Sequence, residues 1–160
     1  MTVLEIKQYQ HNELIWEAYN IPNIFHQLGE KFVLSVAFDT DAHSVPASYY
    51  LGLDNRSTLA YADDIGCISG EPSTNGYARQ AISSISGFGT SLVDGRMKAT
   101  SGIITFTATG GSWGPVNNVF LATTINSSGI LVASSALSSS RTLTSGQHMT
   151  VRFGLAFTVC

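Results

Sequence analysis

Charge is what this sequence has least of. Asp, Glu, Lys and Arg make up 12% of its 160 residues, about half the usual share. Residues 95–160 contain no acid at all. Two cysteines are present, Cys67 and Cys160; they form no zinc or redox motif, and a disulfide between them is not expected. No run approaches the roughly 18 apolar residues of a membrane helix. The N-terminus lacks the basic start and apolar core of a secretory signal. The expectation is a protein that folds in a cytoplasm, with no membrane partner.

Motifs for chemistry are missing too. His11, His26, His43 and His148 have no metal-ligand spacing and read as scattered surface or loop residues. Asp39-Thr40-Asp41 opens like a calcium loop, but Ser44 and Tyr50 stand where Gly and Glu are required. Asp63 and Asp64 are adjacent, diverge in an extended chain, and read as a solvated turn. There is no Gly-x-Ser-x-Gly elbow and no phosphate-binding Gly-Lys-Ser/Thr loop. No catalytic residue, metal or cofactor is expected. The basic residues Arg96, Lys98, Arg141 and Arg152 are too dispersed for a nucleic-acid patch.

What fills the space is Ser and Thr, 20 and 15 respectively, beside 44% hydrophobic residues. That is a composition for β-strands with mildly polar outer faces. The charge is lopsided: residues 1–94 carry a net −7 and residues 95–160 a net +4. Opposite charges of neighbouring copies meeting in an assembly is one reading; chance in a charge-poor chain is the other.

The clearest element is the last. From Met149 to Val159, Met149, Val151, Phe153, Leu155, Phe157 and Val159 fall on one face and Thr150, Arg152, Gly154, Ala156 and Thr158 on the other. Period two is the mark of a half-buried strand. Strands are also expected at Ser48–Leu53, in the extended stretch Gly76–Ile82, and from Lys98 through Ala108, Asn118–Thr124 and Ile130–Leu137. Gly110-Gly111 with Trp113-Gly114-Pro115, Asn126–Gly129 and Ser145-Gly146 supply turns. Gly52 marks a bulge or a close approach. Asp54–Asn75 reads as a long irregular loop, of a length that is usually functional or ordered by a partner. Ser83–Met97 reads as another loop, and Ser138–Leu143 as a connection.

Residues 1–38 read differently. Asn12 can cap a helix over Glu13–Asn20, ended by Pro22, and Asn23 a second short helical piece up to Gly29. Phe32–Phe38 fits buried helix or strand, with helix favoured. The expected architecture is mainly β: a β-sandwich or jelly-roll-like domain at 39–160 behind a short helical N-terminal assembly segment at 1–38.

Several pieces of text resemble a known family. They are Tyr49–Leu53, Gly76–Ala81, Ile104–Ala108, Gly111–Val116, Phe120–Thr123, Ser128–Ala133, Ala136–Ser138 and Arg141–Gly146. In this order they are similar to small virion structural proteins of tailed bacteriophages, described variously as decoration, minor capsid or tail proteins. The resemblance implies a non-enzymatic virion component. The expected position is the capsid exterior, after assembly in the host cytoplasm. There the protein acts as a cement or decoration protein that clamps the head shell. Its expected partners are the major capsid protein and copies of itself. The alternatives are a tail- or neck-associated structural protein and a receptor-binding tail-fibre domain. The residues expected at interfaces are Trp16, Tyr19, Ile24 and Phe25 in the N-terminal segment, and Tyr77, Arg79 and Trp113. Tyr and Arg are interface anchor types, but Arg79 stacked on Tyr77 within the chain and Trp113 as a plug of the protein's own core are the competing readings.

Overall fold

The strand read most clearly from the sequence is the middle of a sheet. In the computed structural model, which describes residues 2–39, 43–93 and 95–156, β10 (Gln147–Leu155) has neighbours on both sides. Met149, Val151 and Phe153 are completely buried, and Thr150 and Arg152 lie on the other face. Phe157, Thr158, Val159 and Cys160 lie outside the described residues.

Among the described residues, ten strands form two antiparallel five-stranded sheets. The first contains β1 (Thr2–Gln10), β2 (Glu13–Pro22), β6 (Phe88–Val93), β7 (Arg96–Thr107) and β10, in the order β2-β1-β10-β7-β6. The second contains β3 (Ile24–Phe25), β4 (Ser48–Asp54), β5 (Gln80–Ser83), β8 (Trp113–Ala122) and β9 (Leu131–Leu143), in the order β3-β9-β8-β4-β5. Val3, Ile6, Phe106, Met149, Val151 and Phe153 from one sheet meet Leu51, Leu53, Val119, Leu121 and Ala133 from the other. The fold is a β-sandwich with one helix, α1 (Gln27–Phe38).

The expected helix over Glu13–Asn20 is instead strand β2. Its start signal, Asn12, belongs to a turn. His11 and Asn12 both have positive φ, 49° and 66°, and join Gln10 to its partner Glu13, which is the geometry of a two-residue type I′ hairpin. Trp16 and Ala18 then turn towards the core with the spacing of a strand, and Ile21 is buried behind a positive-φ Asn20. The second helical piece starts later than expected: Ile24 and Phe25 form β3, and the helix runs unbroken from Gln27 to Phe38. Phe32–Phe38 is helical, as favoured. Strands on both sides of residue 38 share the first sheet.

Two expected loops are also strands. Within Ser83–Met97, β6 and the start of β7 form a hairpin around Gly95. Ser138–Leu143 continues β9. The first stretch is rich in Ser and Gly and the second in Ser; both are mostly exposed, and ladder pairing holds them as strands against their propensity. Trp113-Gly114-Pro115, expected in a turn, opens β8.

Close approach governs two glycines. The ring of Phe120 lies where a Cβ on Gly52 would sit, 2.2 Å from it at the nearest atom. On α1, a Cβ on Gly29 would lie 2.3 Å from the backbone oxygen of Val132 in β9, so the helix rests directly on the sheet. Propensity alone favours Gly29→Ala by about 1 kcal/mol. Here the substitution is expected to destabilise by about 1–3 kcal/mol, because backbone cannot yield as a side chain can. A fall in the urea midpoint checks it; an unchanged or raised midpoint would show that α1 moves freely over β9.

Candidate functional site

The long connection between β4 and β5 is held down by charged and polar side chains. Asp54, at the end of β4, is fully buried. Its Oδ1 accepts from the Gly70 N–H at 2.9 Å and its Oδ2 from the Arg56 N–H at 3.2 Å. Arg56 donates to the Cys67 carbonyl at 2.7 Å and pairs with Asp63 at 3.4 Å. Asp64 caps the 3-10 turn Ile65–Cys67 by accepting from the Gly66 N–H. Asn117 and Asn118 on β8 donate to the carbonyls of Asn55 and Arg56. Leu59 and Ile65 are buried, and Ile65 packs with Phe120, Ala122 and Leu131. The loop thus covers the outer face of the second sheet. Asp63 and Asp64 serve the turn, as read from the sequence.

The centre of this fastening is Glu71, with Tyr77 and Arg79. Arg79 is 8% exposed. Its Nε donates to Glu71 Oε1 at 2.8 Å and its second nitrogen to Oε2 at 2.7 Å, a bidentate pair. Its remaining nitrogen donates to the Thr124 and Asn126 carbonyls, and its guanidinium lies 5.0 Å from the centre of the Phe120 ring. The Tyr77 hydroxyl donates to Glu71 Oε1 at 2.7 Å and accepts from the Leu53 N–H at 2.8 Å. Burial, and then the Glu71 charge, push the Tyr77 phenol far above its ordinary range. The Tyr77 ring packs edge-on against Trp113, which is 3% exposed and donates its indole N–H to the Thr74 and Asn75 carbonyls. Tyr77, Arg79 and Trp113 are therefore turned into the protein itself, and Trp113 fits the core-plug reading. Arg79 sits over Phe120 and grips Glu71, a partner that spacing did not reveal.

The N-terminal residues divide. Phe25 is 8% exposed and belongs to the core. Trp16 is half-buried at the seam between β2 and β9, under the Arg141 guanidinium at 4.9 Å. Arg141 also donates to Gln8, a buried residue of β1. Tyr19 and Ile24 are exposed. Tyr19 accompanies Leu14 and Ile15, also exposed, on the edge strand β2.

The outer face of the first sheet stays open. Across it run Tyr19, Glu5, Arg152 and Ile103 in one row, and Glu17, Lys7, Thr150 and Thr105 in the next. Lys7 pairs with Glu5 at 3.0 Å, and Tyr9 stacks on His148 at 4.8 Å. β2 pairs only with β1 among the described residues. Cys67 is a free, half-buried thiol. His26, read as a surface or loop histidine, is fully buried.

The polar cluster is thus spent on holding a loop, while an open sheet face and a partly apolar edge remain available. The family model described as "Podophage GP4 fiber I protein gp80" matches residues 25–156, and the chain belongs to that family. It is a phage virion structural protein. No curated protein matches the chain. The match begins after β2, so the β1–β2 hairpin lies outside it.

Proposed function

We propose that the chain is a structural module of a podophage fibre, joined to copies of itself through the first sheet and carrying out no catalysis. The observation that carries this reading is membership of a family described as fibre proteins. The surface supports it. Leu14, Ile15 and Tyr19 are 47%, 44% and 52% exposed on the edge strand β2, and an edge strand offers unpaired backbone groups to a partner strand. Glu13 and Glu17 lie on β2 and Arg96 and Lys98 on β7, on the opposite side of the sheet. A head-to-tail contact between β2 of one copy and β6, the opposite edge, of the next would bring these acids towards Arg96, one strand in from that edge.

Locating the chain in the virion tests the position. Antibody label confined to the tail fits the fibre. A regular array over the head, in contact with the major capsid protein, would return the chain to the cement role that its charge-poor faces led one to expect. The double variant Leu14→Lys, Tyr19→Glu tests the contact. It is expected to lower the mass seen by light scattering to that of a monomer, with a stability change within about 0.5 kcal/mol for each exposed site. An unchanged mass would move the contact elsewhere.

A further inference from the structure

His26 joins three elements at one point. Its N–H donates to the Val132 carbonyl of β9 at 3.0 Å, and its carbonyl accepts the Glu30 N–H of α1 at 2.9 Å. The next residue, Gln27, donates its N–H to the Tyr61 carbonyl of the long loop at 2.9 Å. The ring is fully buried. Nε2 lies 2.8 Å from the Ser134 hydroxyl of β9, and Nδ1 has no hydrogen-bond partner. The helix that starts here has no side-chain cap.

The charged groups around the ring are already engaged. Glu30 on α1 accepts from the Tyr61 hydroxyl at 2.7 Å. Asp63 on the loop accepts from the Ala60 N–H and pairs with Arg56. β9 presents the neutral Ser134. No carboxylate forms an ion pair with the ring among the described residues. The burial of the ring cuts a charge placed here off from bulk solvent, and only backbone carbonyls such as those of Ala60 and Tyr61 lie near to offset it, which is costly in a protein interior.

We propose that His26 is an acid-released latch: protonation drives its ring out of the slot between β9 and the long loop and frees the N-terminus of α1. The helix then lifts from β9. The pocket of about 310 Å³ that Phe25 and Val33 line with Met97 and Leu155 then widens.

Burial depresses the ring's pKa and outweighs the nearby carbonyls of Ala60 and Tyr61 and the more distant Asp63. The unfolded or opened ring has its ordinary pKa of about 6.5 and takes the proton first. Stability is therefore complete above about pH 6.5 and falls as the pH drops below it.

Hydrogen exchange and imidazole NMR between pH 7.5 and 5 test this on the intact protein. The His26 ring is expected to stay neutral below the ordinary imidazole midpoint of about 6.5. Below about pH 6.5 the protection of α1 amides, corrected for intrinsic exchange, is expected to fall by about tenfold per pH unit, the slope of one linked proton. Amides in the middle of β8 and β10 are expected to hold. His26→Gln should abolish that slope. A His26 ring that titrates at or above 6.5, or α1 protection that tracks the whole sandwich, overturns the latch. So does the same slope in the variant, and the wild-type measurements decide even if the variant does not fold.

Discussion

Arg79→Ala is expected to cost about 3–5 kcal/mol of unfolding free energy, the range for breaking a buried pair from one side. The guanidinium holds both oxygens of Glu71, two carbonyls of the β8–β9 turn and the face of Phe120. With it gone, Glu71 keeps the Tyr77 hydroxyl alone among the described residues, and its side chain is only 20% exposed. The carboxylate is then poorly solvated and poorly paired. The loss should also spread, because Glu71 anchors the loop that covers Phe120 and Leu131. Binding of a hydrophobic dye at urea concentrations below the main transition is the expected sign. Arg79→Lys should recover little, since an ammonium lacks the fork that grips both oxygens. Glu71→Gln in the Arg79→Ala background should recover part of the loss, because it removes the stranded charge. A cost under about 1 kcal/mol for Arg79→Ala would mean that the loop is held by Asp54 and the asparagines of β8 alone.

A chain beginning at Phe25, where the family match starts, is expected not to fold cooperatively. It lacks β1 and β2. β1 separates β2 from β10, so its removal strips one side of the central strand. Val3 and Ile6 are completely buried and Ile21 nearly so, and truncating each such side chain costs about 2–5 kcal/mol. Gln8 would take its side-chain hydrogen bonds with Thr142, Gln147 and Arg141 with it. The three side chains together come to about 6–15 kcal/mol before those hydrogen bonds, as much as the 5–15 kcal/mol that a typical domain has in total. Urea unfolding followed by Trp113 fluorescence reads the outcome. A sharp sigmoid from the truncated chain would mean that the remaining strands suffice and that the hairpin serves assembly, as its sequence alone led one to expect.

The sheets were legible where alternation was strong. Met149–Leu155 and Ile104–Ala108 carry their apolar residues at every second position, and the structure buries that face. β2 was harder. Leu14 and Ile15 are adjacent and both exposed, a register shift falls opposite Gln8 and Tyr9, and Asn12 signals a helix cap and a left-handed turn equally well. The β6–β7 hairpin was hidden because its strands are held by ladder bonds, with Gly89 and Ser91 giving little pattern. Of the polar site, Tyr77 and Arg79 were visible by residue type, but their orientation was not. Glu71 lies eight positions before Arg79 along an irregular loop, and no periodicity links such residues. The buried state of His26 was equally silent, because a histidine before a helix is ordinary on a surface.

The pairing of β1 with β10 sets an order of events during synthesis. Val3 lies opposite Phe153 and Ile6 opposite Val151, so β1 waits for β10 to be made. At bacterial elongation rates of about 5–20 residues per second, that delay is on the order of ten seconds. Throughout it, the β1–β2 hairpin shows an apolar face with nothing to cover it, and a lone hairpin is marginal in water. Nascent chains on one message pass through this stage close together. The hairpin is therefore the segment most exposed to wrong pairing between copies, and the one whose shielding by a chaperone would most improve the yield of folded protein.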